Sequence, residues 1–144
     1  MKNKAILKDN KGATVVEFAI IIPIVLIFIF GIIEFSLLLY NKQVITNACR
    51  EGAREGIVIR SPTRLSNADI EKVIKDYAGG SLITFGSDIF DEGDIDILPD
   101  EPRQGNLFGT DLSVEIKYKY EFLFLSNFGI GPVDLVAKTI MKFE

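Results

Sequence analysis

Histidine is absent from the 144-residue chain, and cysteine occurs once, at Cys49. That inventory excludes a His-based catalytic triad, a zinc-type cluster and an intramolecular disulfide. Positive charge is also short, with 16 Lys and Arg against 20 Asp and Glu, a formal net charge of −4. Such a balance supplies no basic field for nucleic acid. No repeat or low-complexity tract is present, and no spacing assembles a nucleophile, a base and an orienting group. An enzyme therefore has little support, and no cofactor is implied.

Charge is missing most completely from Phe18 to Ile33, where no side chain is charged or strongly polar. As a helix, Ala13 to Tyr40 would extend about 42 Å against a hydrocarbon core of about 30 Å, enough to span a bilayer. A buried helix of a soluble protein would show a polar stripe over such a length. Lys2, Lys4, Lys8 and Lys11 precede the run, offset only by Asp9. Basic flanks are retained on the cytoplasmic side, so the expected orientation is amino terminus inside and carboxyl-terminal domain outside a cytoplasmic (inner) membrane. A secretory signal peptide would end in an A-x-A-like pattern, and "NKQVITNAC" after Tyr40 matches it poorly.

Glu17 interrupts the start of the run, about one helical turn inside. A carboxylate near the bilayer interior costs up to about 2.5–3.5 kcal/mol and usually pairs with another ionisable group or lines a protected interior. The blander reading places it in the headgroup zone, favoured by the dipole of the helix N-terminus. Pro23 removes one amide and leaves the Ala19 carbonyl without its usual donor, so local loosening is expected. Counting about 20 residues from Ala13 ends near Ile33, which makes Glu34 an interfacial charge at the outer boundary and Tyr40 an interfacial anchor.

Beyond the membrane the helix is predicted to continue through "NKQVITNACREGAREGIVIR" and stop before Ser61 and Pro62. Ala48, Gly52 and Gly56 form a small-residue ridge along it, permitting close approach by the chain's own sheet or a neighbouring helix. Two glycines inside a helix each sacrifice about 1 kcal/mol against alanine, which points to a packing demand. Cys49 lies on this face as buried packing, and Arg50, Glu51, Arg54 and Glu55 read as a solvated face.

The ordered set "KGATVVEFAIIIPIVLIFIFGIIEFSLLLYNKQVITNACREGAREG" resembles the amino-terminal region of TadE-like minor pilins, the pseudopilins of tight-adherence (Flp-type, type IV-like) pili. The resemblance covers about residues 11–57 and rests on Gly12, Glu17, Phe18, Pro23, "GIIEF" and "TNACREGAREG". It implies a leader, residues 1–12, cut between Gly12 and Ala13 by a prepilin peptidase, with Glu17 then fifth in the mature chain. It further implies that Glu17 and Phe18 serve assembly with other pilin and pseudopilin subunits at an inner-membrane assembly platform. Physically, glycine followed by a small residue leaves the cleaved bond flexible and unhindered. Cleavage would take the formal charge from −4 to −7 by removing four lysines and one aspartate. The new amino group of Ala13 on an adjacent subunit could neutralise Glu17 and set the axial register. Among filament subunits, the length implies a minor component. The alternative function is a binding module tethered outside the membrane.

The chain then divides into residues 1–12, a long helix over 13–60 with a transmembrane part at 13–40, and an extracytoplasmic α+β domain over 61–144. In that domain "SNADIEKVIKDYAGG" predicts a helix capped by Ser66 with Asp69 three positions on. Its buried face should carry Ile70, Val73, Ile74 and Tyr77, and Gly79 and Gly80 end it. Strands are expected at Leu82–Phe85, Ile95–Leu98 and "LSVEIKYKYEF", with "VDLVAKTIMKFE" the antiparallel neighbour of the last. The fold class is α+β, a long helix against a small antiparallel sheet, as in pilins. Asp88, Asp91, Glu92, Asp94 and Asp96 cluster in a loop, but their spacing departs from the EF-hand template. They read as a solvated acidic loop, with a calcium site, since hard cations take oxygen ligands, as the alternative.

Overall fold

The computed structural model describes residues 11–58, 65–84, 90, 93–99 and 108–143. The chain divides into two compact units, Met1–Ile33 and Glu34–Glu144, and helix α1 (Lys11–Ile57) contributes to both. In the first unit α1 continues through Pro23, and every residue from Gly12 to Ile29 is exposed. Among the described residues this is the one helix long and apolar enough to cross a membrane, and none of its most apolar stretch is buried. A helix that turns apolar side chains outward on all sides fits a lipid environment rather than a core.

The second unit combines the rest of α1 with α2 (Asn67–Gly79) and the strands β1 (Ile95–Leu98), β2 (Asp111–Tyr120) and β3 (Val133–Lys142). The sheet is antiparallel throughout, in the order β1-β2-β3. Thus the fold is α+β, a long amino-terminal apolar helix with a small three-stranded antiparallel sheet. Strand β2 alternates as its sequence requires: Leu112, Val114, Ile116, Tyr118 and Tyr120 are buried, while Lys117 and Lys119 are exposed between them. A two-residue period places one face on the core and the other in water. Across the ladder Val114 faces Thr139 and Tyr120 faces Val133.

Helix α2 begins as a capping box. The Ser66 hydroxyl accepts from the Asp69 amide (3.1 Å), and the Asp69 carboxylate accepts from the Ser66 amide (3.2 Å). This satisfies two of the donors that a helix start leaves open. The buried face of α2 is Ile70, Ile74 and Ala78, a spacing of four, and Tyr77 is exposed, contrary to expectation. Gly79 is the last helical residue and Gly80 the cap.

One further expectation fails for an identifiable reason. Leu82, Ile83 and Thr84 form no strand, and Phe85 lies outside the described residues. The Asn41 side chain engages both backbone groups of Ile83, accepting from its amide (3.0 Å) and donating to its carbonyl (2.7 Å). One buried amide group thus replaces the ladder partner that a strand would need. Helix α1 ends at Ile57, and Ile59 and Arg60, where it was expected to stop, lie outside the described residues.

Ala48, Gly52 and Gly56 lie on the buried side of α1, where α2 and β2 come closest. A Cβ added at Gly52 would fall 2.5 Å from Ile74 Cγ1, and one at Gly56 would fall 2.6 Å from Leu112 Cδ2. The obstruction differs in kind. Leu112 Cδ2 and Ile70 Cδ1 are terminal methyls that can rotate away from position 56, whereas Ile74 Cγ1 sits mid-chain. Alanine gains about 1 kcal/mol of helix propensity at either position, against an overpacking cost of about 1–3 kcal/mol. Gly52→Ala is therefore expected to lower the urea midpoint of the full chain in detergent, and Gly56→Ala to leave it nearly unchanged. Equal midpoints for the two variants would refute this assignment of the contacts.

Candidate functional site

The residues singled out from sequence fall into both units. Gly12, Ala13, Glu17 and Phe18 lie together in the first turns of α1, all exposed. Nothing lies within 4 Å of a Cβ built at Gly12. Glu17 is the one acidic residue between Lys11 and Ile33 and stands among exposed apolar side chains. Ala48, Gly52 and Gly56 belong to the second unit, so the structure does not gather the two sets into one site.

A third place, which the sequence reading treated as a simple interfacial charge, is Glu34. This residue is only 2% exposed. Its Oε1 accepts from the Leu123 amide at 2.7 Å and from the Tyr120 hydroxyl at 3.3 Å, and its Oε2 accepts from the Phe124 amide at 2.9 Å. Burying a carboxylate is costly unless it is hydrogen-bonded, and here both oxygens have donors. Strand β2 ends at Tyr120, and a short 3-10 turn follows at Leu125–Phe128. Glu34 holds the two amides just ahead of that turn. Gly129 then adopts a left-handed conformation (φ 80°), which only glycine takes readily, and the chain returns as β3.

Desolvation, reinforced by the negative charge and hydrogen bond of Glu34, pushes the Tyr120 hydroxyl from its ordinary 10.0 up to about 12. Its ring also stands edge-on to Phe122, with centroids 5.4 Å apart. The signal for Glu34 was present as a period. Residues 34, 38, 41, 45, 48 and 52 recur at spacings of three and four, so Glu34 and Asn41 share the helix face of the buried small residues.

The remaining candidates have structural surroundings. Cys49 is fully buried, with its thiol directed at the Val114 carbonyl (3.1 Å), and desolvation pushes its pKa up, away from a reactive thiolate. Arg54 pairs with Glu51 at 2.6 Å on the surface, an arrangement of small energetic weight. Of the acidic cluster, Asp88, Asp91 and Glu92 lie outside the described residues. Among the described residues no group of three His, Cys, Asp or Glu side chains could hold a metal ion.

Over residues 12–54 the chain matches the family model of TadE-like proteins. The matched stretch runs from Gly12 through Glu17 and Glu34 to the small-residue face, so it includes parts of both units. The likeness is to TadE-like proteins and is confined to this amino-terminal stretch. The long apolar helix fits a single-pass membrane anchor. No curated protein and no solved structure matches the chain.

Two outcomes test the Glu34 site. Glu34→Ala strands the Leu123 and Phe124 amides, each orphaned donor costing about 1–3 kcal/mol, and Glu34→Gln should recover only part of the loss because it offers one acceptor oxygen in place of two. Urea unfolding ranks the variants, and unchanged midpoints would remove the site from the stability of the fold. For Tyr120, a raised folded pKa means that its contribution is complete below pH 10.0 and is lost as pH rises through about 12. Melting temperature followed across that window should therefore fall more steeply for the wild type than for Tyr120→Phe.

Proposed function

We propose that this protein is a membrane-anchored minor pilin or pseudopilin of a tight-adherence, type IV-like pilus or related secretion filament. The prepilin peptidase cuts it between Gly12 and Ala13, and the mature chain joins other pilin and pseudopilin subunits at an inner-membrane assembly platform. The helix over 13–40 crosses the cytoplasmic membrane once, with the amino terminus inside and the folded unit outside.

The observation that carries this reading is a lone carboxylate, Glu17, exposed on an otherwise apolar surface five positions after Gly12, within a TadE-like stretch. In lipid such a group needs a partner. Cleavage creates one, because the freed amino group of Ala13 is a cation at the edge of the same apolar segment, and staggered parallel helices bring it to Glu17 of the next subunit. Phe18 then lies at the same contact. The pairing is tolerated at one axial offset, which gives the filament its register.

Mass spectrometry of the membrane-extracted protein should find Ala13 as the first residue. An intact Met1 or Lys2 start would favour a permanently tethered binding module instead. Glu17→Ala should insert and be cleaved like the wild type, yet fail to co-purify with partner subunits or enter filaments. Normal incorporation of that variant would end the pairing argument.

A further inference from the structure

The connection from β2 to β3 carries a second apolar surface. Residues 122–132, "FLFLSNFGIGP", contain no charged side chain. Leu123, Phe124, Phe128 and Ile130 are all exposed, Phe128 at 72%. Four exposed apolar side chains within eight residues are unusual for a protein face that meets only water. The rest of the hairpin is different: the outward side of β2 carries Glu115, Lys117 and Lys119, with Lys138 of β3 bonded to Glu115 at 3.1 Å. Exposed apolar side chains are densest at the end that joins β2 to β3, while Val136 and Ile140 are also exposed along β3.

Glu34 determines which end that is. The amides of Leu123 and Phe124 are held at 2.7 and 2.9 Å by a carboxylate one residue beyond Ile33, where the charge-free run stops. About 20 residues from Ala13 fill the hydrocarbon thickness, so Glu34 stands at its outer limit. Two short hydrogen bonds tie the loop to that residue.

We infer that the β2–β3 loop is a membrane-interface anchor, inserting Phe128, Ile130, Leu123 and Phe124 among the headgroups and upper acyl chains of the outer leaflet. The inference rests on α1 being a membrane span. The occupant is lipid because the charge-free loop is bonded to Glu34, the residue that directly follows the charge-free run in the sequence. Aromatic and aliphatic side chains lodge about 5–10 Å into this boundary when no charge opposes them. Ser126 and Asn127, at the turn between the apolar residues, supply polar groups suited to the headgroup layer. The loop gives the folded unit a second point of attachment, in addition to the covalent one through α1.

The chain contains no tryptophan, so single replacements serve as reporters in the full-length protein reconstituted into phosphatidylcholine nanodiscs. Phe28→Trp reports on the span. Phe128→Trp reports on the loop, and Phe108→Trp, at an exposed residue beside the opposite end of the hairpin, serves as the aqueous control. Lipids brominated near the headgroup end of the acyl chains should remove roughly half of the Phe128→Trp emission and shield it from acrylamide, leaving Phe108→Trp unquenched by bromine. If Phe28→Trp is quenched by bromolipid but Phe128→Trp behaves like Phe108→Trp, the loop inference is wrong and the anchor stands. Acrylamide protection of Phe128→Trp without bromolipid quenching would assign the patch to a protein contact and equally overturn the inference. Absence of quenching at Phe28→Trp would refute the span, and the loop placement with it.

Discussion

A carboxylate withdrawn from water is tolerable only if both oxygens are given donors, and Glu34 obtains its donors from a segment nearly ninety residues later in the chain. This long-range closure has consequences on both sides. It ends β2 at Tyr120 by drawing the next amides toward the helix, and it fixes where the short turn before β3 begins. It also marks the point at which α1 stops presenting apolar side chains on every side and acquires a buried face. Removing the acid would leave neutral amides stranded; removing the donors would leave a buried charge. Each half of the contact therefore requires the other.

Further along α1 the same principle operates with smaller groups. Asn41 satisfies both backbone groups of Ile83, and Cys49 directs its thiol to the Val114 carbonyl. Between these polar contacts, Ala48, Gly52 and Gly56 remove side-chain bulk so that Ile74, Ile70 and Leu112 approach the helix backbone. Polar contacts specify the register of the helix against the rest of the unit, and the glycines set how closely it approaches. The approach is close because substituents larger than hydrogen have no room at position 52.

Elements whose logic is local were legible in the sequence. The Ser66–Asp69 cap, the β2 alternation and the pairing of β2 with β3 follow from periods of two and from capping chemistry confined to a few residues. The apolar helix was equally plain, because nothing in Phe18–Ile33 competes with lipid. What escaped was tertiary. Leu82–Thr84 has strand-like composition, yet a single amide side chain from α1 takes its hydrogen bonds. Tyr77 was assigned to the buried face of α2 because the count included spacings of three, whereas the observed face follows spacings of four and ends at Ala78. Glu34 looked like a boundary charge because its donors are distant in sequence, although its place on the small-residue face was recorded in the spacing.

The two acidic residues that flank the apolar run, Glu17 and Glu34, illustrate how identical side chains acquire different roles. Glu34 is enclosed by donors from its own chain, so the folded unit alone meets its electrostatic demand. Glu17 is exposed among apolar neighbours in the other unit, and that surface is suited to lipid rather than to charge. Moving Glu34 by one residue would break a fixed set of hydrogen bonds within the subunit. Under the proposed assembly, moving Glu17 would instead change the offset between subunits, because its neutralising group arrives on another chain. An acid satisfied internally constrains folding, and one satisfied externally constrains assembly. Under that proposed assembly, a helix with one of each at the two ends of its apolar run completes its own unit through Glu34 and needs a neighbouring chain only for Glu17.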